Sequence, residues 1–189
     1  VLVTNGIYNT GGRIDNFGAP FGNFLTNRLV ITNSILVHSV NGPQVTVIEG
    51  GQVPGTINGT NAVRCLFIEN NLNATVSGFT LTKGATFLHS QLSFGASDNS
   101  GGGVFCWTPS GVWASPVISN CVITGCSSGE DGGGVWGGNY LNCTIADNSA
   151  VFGGGAYFAA LTNCVITNNS ASVIISSMPY GNMGGGTLD

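Results

Sequence analysis

The segment Gly132-Gly133-Gly134-Val135-Trp136, followed by Leu141-Asn142-Cys143-Thr144-Ile145-Ala146-Asp147-Asn148-Ser149-Ala150, carries two markers that recur along the chain at a fixed phase. Glycine triplets begin at Gly101, Gly132, Gly153 and Gly184, at intervals of 31, 21 and 31 residues. Between them stand Ser119-Asn120-Cys121-Val122-Ile123, Leu141-Asn142-Cys143-Thr144-Ile145 and Thr162-Asn163-Cys164-Val165-Ile166, so that Cys121, Cys143 and Cys164 lie 22 and 21 residues apart. Periods of about 20 to 50 residues mark solenoids, in which one repeat cannot bury its apolar face alone and stacks on its neighbours.

Aligning the two markers locates the irregularities. Gly134 to Cys143 and Gly155 to Cys164 each span 9 residues, whereas Gly103 to Cys121 spans 18, which places a nine-residue insertion at residues 107–115. Cys143 to Gly153 spans 10 residues but Cys164 to Gly184 spans 20, so a second insertion carries Met178-Pro179-Tyr180. Each 31-residue interval is then a 21-residue coil plus a loop.

Upstream the repeat is less regular. Val76-Ser77-Gly78-Phe79-Thr80-Leu81-Thr82 matches Ile118-Ser119-Asn120-Cys121-Val122-Ile123-Thr124 at an offset of 42, which reads as two periods with Phe79 in the Cys121 slot. Leu29-Val30-Ile31-Thr32-Asn33-Ser34-Ile35-Leu36-Val37 and Val45-Thr46-Val47-Ile48 alternate as strands do and end at Asn41-Gly42-Pro43 and Gly50-Gly51. No stretch carries a sustained 3.6-residue apolar stripe with caps, so almost no helix is expected. A sandwich would need hairpins, and it does not predict the same Asn-Cys pair at the same phase of successive units. The expected fold is all-β: a right-handed parallel β-helix with coils of about 21 residues and two inserted loops. It forms a single domain over residues 1–189, less regular over 1–100 and regular over 101–189, and is expected to be part of a longer chain. Dividing length by period and allowing for the two inserted loops gives roughly eight coils.

Only 6% of the residues are charged and 31 of 189 are glycine, against roughly 25% charged residues in an ordinary domain. Alternating apolar residues with so little charge invite edge-to-edge association unless the fold hides its strand edges, as a coiled solenoid does along its length. A net charge of −4 with four Lys and Arg leaves no basic patch for nucleic acid, and no run of 18 or more apolar residues would span a bilayer.

The candidate residues divide by chemistry. Asn120, Asn142 and Asn163 form a structural ladder, since Asn tolerates left-handed backbone and its amide can bond the next coil; ligand binding is the alternative. Cys121, Cys143 and Cys164 alternate with Ile123, Ile145 and Ile166, which makes them inward-facing thiols. A disulfide involving Cys65, Cys106 or Cys126 is the second reading and a metal site the third, with His38 and His89 remote in sequence from any cysteine cluster. The triplets lack the Lys-Ser or Lys-Thr of a phosphate loop and read as tight turns and close approaches. Of the acids, only Glu130 and Asp131 are neighbours, in a turn after Ser127-Ser128-Gly129, and Lys83 has no evident partner. No catalytic residue, metal or cofactor is assigned. Trp107 and Trp113 in the first insertion and Tyr180 in the second are carbohydrate-contact candidates, with a local cover over the solenoid as the alternative.

The Gly-Gly-Gly-Val-Trp and Leu-Asn-Cys-Thr-Ile-Ala-Asp-Asn-Ser-Ala units resemble the repeats of bacterial right-handed β-helix surface proteins, among them polymorphic outer-membrane-protein-type repeats. Val3-Thr4-Asn5-Gly6-Ile7-Tyr8 and Ser39-Val40-Asn41-Gly42-Pro43 are similar to the opening coils of large secreted β-helix proteins with C-terminal anchors. The resemblance implies secretion to the cell surface or exterior and a structural or adhesive role. The partners it leaves open are other copies, stacked end to end into a filament, and extracellular polysaccharide. A polysaccharide lyase, glycosidase or carbohydrate-binding module is the competing class, resting on fold analogy.

Overall fold

Glycine, asparagine and serine punctuate this chain every few residues, so its strands are short, and the backbone hydrogen bonds that such strands cannot make locally are made to the next coil. The computed structural model describes residues 1–14, 24–69, 73–88, 97–106 and 116–172. The first coil supplies β1 (Leu2–Val3), β2 (Gly6–Tyr8) and β3 (Arg13–Ile14), and the second β4 (Thr26–Ile31), β5 (Leu36–Ser39) and β6 (Thr46–Glu49). The third holds β7 (Val63–Ile68), β8 (Thr75–Ser77) and β9 (Thr80–Thr82), and the fourth β10 (Val104–Cys106), β11 (Val117–Ser119) and β12 (Val122–Thr124). The fifth comprises β13 (Val135–Trp136), β14 (Asn139–Leu141), β15 (Thr144–Ala146) and β16 (Ser149–Ala150). The sixth comprises β17 (Ala156–Tyr157), β18 (Ala160–Thr162), β19 (Val165–Thr167) and β20 (Ser170–Ala171). Among the described residues there is no helix.

Three six-stranded sheets result. Sheet A runs β1-β5-β8-β11-β14-β18, sheet B runs β2-β6-β9-β12-β15-β19, and sheet C runs β3-β4-β7-β10-β13-β17; a short fourth sheet pairs β16 with β20. Each long sheet gains one strand per coil, and from the second coil on the chain visits C, A and B in that order, an all-β arrangement of parallel sheets consistent with a β-solenoid. The exception to parallel pairing among the named strands is β3, which lies antiparallel to β4 with Arg13 opposite Asn27. It covers the first edge of sheet C, an edge that would otherwise present unpaired backbone groups.

The register corrects one expectation. Thr75 lies directly opposite Val117, and Thr80 opposite Val122, so the offset of 42 is a single coil and not two. Val122 N donates to Phe79 O at 2.9 Å and Phe79 N lies 3.4 Å from Cys121 Sγ, so Phe79 does occupy the slot next to Cys121. Further along, Val117 pairs with Asn139 and Asn139 with Ala160, at offsets of 22 and 21. The described residues thus supply six coils where about eight are expected; the offset of 42 makes one earlier coil about twice as long as the period, and residues 173–189 lie outside the described ones.

Alternation fills the interior. Val37, Val76, Ile118, Tyr140 and Leu161 stack down the inner face of sheet A, and Ile48, Leu81, Ile123, Ile145 and Ile166 down that of sheet B. Leu66, Val104, Val135 and Ala156 complete the core from sheet C. Each fully buried aliphatic side chain contributes about 1.5–3 kcal/mol, and in a solenoid that gain is realised only when the neighbouring coil is in place.

Candidate functional site

The corners set what the faces can display. Between sheets A and B the chain turns through one left-handed residue per coil: Gly78 (φ 80°), Asn120 (φ 52°), Asn142 (φ 53°) and Asn163 (φ 52°). Asn120 N donates to Leu141 O and Asn142 N to Thr162 O, each at 3.0 Å, while the side chains of all three asparagines are exposed. Asn120 Nδ2 reaches back to Ser77 Oγ at 3.5 Å. A second left-handed column, Lys83, Gly125, Asp147 and Asn168, closes the far side of sheet B.

The continuous amide ladder is one residue further on, at Asn148 and Asn169, both buried. Asn148 Oδ1 accepts from Cys126 N at 2.9 Å, and its Nδ2 donates to Ile123 O at 3.1 Å and to Asn169 Oδ1 at 3.0 Å. Asn169 Nδ2 donates to Ile145 O at 2.8 Å. Reading the sequence for Asn-Cys pairs passed over these residues; their signal is Asp147-Asn148-Ser149 and Asn168-Asn169-Ser170, again 21 apart.

The triplets answer a spatial demand. Gly132 has φ 60°, and a Cβ on Gly133 would run into the carbonyl oxygens of Ser149 and Gly154 in the next coil. The six cysteines are free, five of them buried. Cys143 Sγ lies 3.4 Å from Leu141 O and 3.5 Å from Ile118 O, and Cys164 Sγ lies 3.4 Å from Thr162 O and 3.5 Å from Tyr140 O, so these thiols rest on main-chain carbonyls. Burial pushes the Cys65 thiol well up, with the neighbouring Cys126 acting the same way, and it pushes Cys106 up to about 12. Cys121 is lowered by the thiol of Cys143 beside it, and Cys143 is raised by Cys121 and by burial. Among the described residues no three His, Cys, Asp or Glu side chains converge as a metal-binding group would.

The charged residues are distributed differently from the sequence reading. Lys83 has a partner after all: its Nζ lies 3.3 Å from Glu49 Oε2 on the preceding coil, a pairing that stacking creates between residues 34 positions apart. Asp98 is buried and accepts Phe24 N at 2.8 Å. Arg64 is fully buried, donating to Gly101 O and Ser100 O at 2.8 Å, to Asn27 Oδ1 at 2.7 Å and to Ser97 O, with its guanidinium 4.9 Å from the Phe105 ring centre. Nothing in the repeat pattern marked it out, because it stands in an irregular coil. Glu130 and Asp131 are half-buried within the stack: Glu130 N donates to Asn99 O, Phe152 N to Glu130 O, and Asp131 bridges Phe152.

Trp107, Trp113, Tyr180, Met178 and His89 lie outside the described residues, as does the triplet at Gly184. The described aromatics instead form a column on the outer face of sheet C, where Phe67, Phe105, Trp136 and Tyr157 are in register. Phe67 and Phe105 stack with ring centres 5.7 Å apart, and Phe105 and Trp136 at 4.6 Å. Phe158 continues the column, edge-on to Tyr157 at 4.8 Å and tilted against Trp136 at 6.2 Å. The sequence signal was present and unread: an aromatic residue stands two positions after the triplet in Gly-Gly-Gly-Val-Phe105, Gly-Gly-Gly-Val-Trp136 and Gly-Gly-Gly-Ala-Tyr157.

No protein-family model, no curated protein and no solved structure matches the chain. The candidate site is therefore read from its own chemistry, an aromatic column in which Phe67 and Phe105 are buried and Trp136 and Tyr157 half-buried. The hydroxyl of Tyr157 is raised by burial and then by the charges of Asp131 and Glu130.

Proposed function

We propose that the chain is a right-handed parallel β-helix with coils of about 21 residues plus insertions, and that it serves outside the cell as a structural or adhesive surface module. The observation that carries this reading is the in-register stacking of three sheets, parallel except at β3, with the same left-handed corners recurring from coil to coil. Such a stack is a rigid support whose outer faces and inserted loops vary without disturbing the interior. The likeness of the Gly-Gly-Gly and Asn-Cys units to polymorphic outer-membrane-protein-type repeats and to large anchored β-helix proteins points the same way. Antibody labelling of intact, unpermeabilised cells of the source organism tests it: surface labelling is expected, and signal only after permeabilisation overturns it.

Stacking of copies end to end would be heterologous and so would grow rods instead of closing a dimer. Light scattering across a concentration series is expected to show particle mass rising with concentration; a constant monomer mass removes the filament. The second reading, a polysaccharide-active enzyme, draws on Glu130 and Asp131, which are adjacent in sequence and half-buried, since glycoside cleavage uses paired carboxyl groups. New reducing or unsaturated ends released from neutral or uronate polysaccharides would establish it.

A further inference from the structure

The outer face of sheet B is built from two columns of small side chains. Leu81, Ile123 and Ile145 point inward at full burial, so by alternation the residues on either side of them point out. In the third to fifth coils one column reads Thr80, Val122 and Thr144 and the other Thr82, Thr124 and Ala146, each residue directly opposite the next. Ala146 is buried and the other five are half-buried. None is larger than valine, and none is charged or aromatic. Each strand runs between the same left-handed corners, Gly78, Asn120 and Asn142 on one side and Lys83, Gly125 and Asp147 on the other, so the face keeps a constant width. Neighbours within a column lie about 4.8 Å apart, and the two columns roughly 6.6 Å.

The charge of this face fits one kind of surface. In the second coil the same two places hold Val47 and Glu49, and Glu49 is tied to Lys83 at 3.3 Å. That pair and Asp147 stand at the border of the array and leave its middle neutral. Nucleic acid and anionic membrane are met through basic charge, a protein through large anchors, and a sugar through aromatic rings. Here there are methyl groups, which leave water bonded to itself, beside hydroxyls, which both give and accept. Thr80 Oγ1 donates to Pro43 O at 2.8 Å, whereas the hydroxyls of Thr82, Thr124 and Thr144 have no protein partner among the described residues. A prism face of hexagonal ice repeats its water oxygens at close to the two spacings of the array. It is also uncharged, because a growing ice lattice rejects ions.

We propose that the outer face of sheet B binds ice, with Thr80, Thr82, Val122, Thr124 and Thr144 holding the first layer of water in register with a prism plane. This goes beyond the surface-module reading and does not depend on it, since the array is the same in an anchored chain and a free one.

Slow freezing of a dilute solution of the whole chain onto a cooled probe, with serum albumin dissolved alongside, tests it. The parent is expected in the ice, enriched about tenfold or more over the albumin. Thr124→Lys puts a charge in the middle of the array and should lose that enrichment, while Leu141→Lys, on the outer face of sheet A, should keep it. Circular dichroism checks that each variant retains the parent's strand spectrum, and Thr82→Lys takes the place of a Thr124→Lys that does not. Exclusion of the parent together with the albumin overturns the proposal, as does a folded Thr124→Lys that enters the ice as the parent does. A single-crystal ice hemisphere grown in a fluorescent-protein fusion of the chain reads the plane. Fluorescence on prism faces is expected; a dark hemisphere, or one lit on its basal faces alone, overturns the match of spacings. A dimer that Thr124→Lys splits, seen by light scattering without ice enrichment, would give the face to a second copy instead. None of these results bears on cell labelling, which tests the surface reading separately.

Discussion

Asparagine does two different jobs in this solenoid, and substitution separates them. At Asn142 the side chain is exposed and the backbone left-handed, so the residue is there for its φ. Asn142→Gly is expected to be nearly neutral, while Asn142→Ala should cost about 1–2 kcal/mol through the left-handed penalty. Asn148 is buried and bonded at both ends of its amide. Asn148→Ala leaves Cys126 N and Ile123 O without that partner in a dry interior and should cost about 2–4 kcal/mol. Urea unfolding of the three variants checks the order; equal losses for Asn142→Ala and Asn148→Ala would mean that the inner ladder bears no special load. The left-handed role of Asn142 was legible because Asn-Cys repeats in phase. The inner role of Asn148 was not, since a sequence shows that an asparagine repeats but not which way its side chain points at a corner.

At the scale of the element, sheet C is the least legible part of the fold and the one with the most individual chemistry. Its aromatic column and Arg64 join β7 to β10, to Gly101 of the first triplet, and to residues 97–100, which the repeat pattern leaves unaligned. Arg64→Met keeps an apolar stem against Phe105 but strips hydrogen bonds from Gly101 O, Ser97 O and Ser100 O. The expected loss is roughly 3–5 kcal/mol, from several carbonyls left unpaired in the interior. A parental unfolding midpoint in Arg64→Met would show that those carbonyls find other donors. The same stretch explains the error over the offset of 42. Between β9 and β10, and again between β10 and β11, the chain takes a longer path than in later coils, and the extra residues happen to sum to about one period. Strand pairing is fixed by which apolar faces stack, and loop length adds only a slowly growing entropy cost, so chain distance is a poor ruler across an irregular coil. Where intervals shorten to 22 and 21, spacing alone gave the register correctly.

For the whole molecule, the interior has an unusual titration. A typical aliphatic core does not respond to alkali, but this one holds Cys65, Cys106 and Tyr140 at full burial, and burial pushes all three up. A group whose pKa is higher folded than unfolded contributes stability that is present below its unfolded value and lost as pH rises through the folded one, because the unfolded chain releases its proton first. For Cys106 the window runs from 9.0 to about 12, and complete loss corresponds to something on the order of 4 kcal/mol. Cys121 is shifted the other way and offsets part of the effect. Stability should therefore hold from neutral pH to about pH 9 and then decline steeply. Urea unfolding at pH 7.5, 9.5 and 11 in the presence of a reductant is the measurement, with Cys106→Ala as the control. The variant gives up some packing at neutral pH, but its stability should fall less between pH 9.5 and 11 than the parent's. Parallel declines in the two proteins would assign the alkaline loss to the other buried groups, and a parent with constant stability up to pH 11 would show that the core thiols and Tyr140 are hydrated in the folded chain. Because coils depend on one another for their hydrogen bonds, a proton lost in the fourth coil is felt along the stack, and the transition should stay cooperative as it weakens.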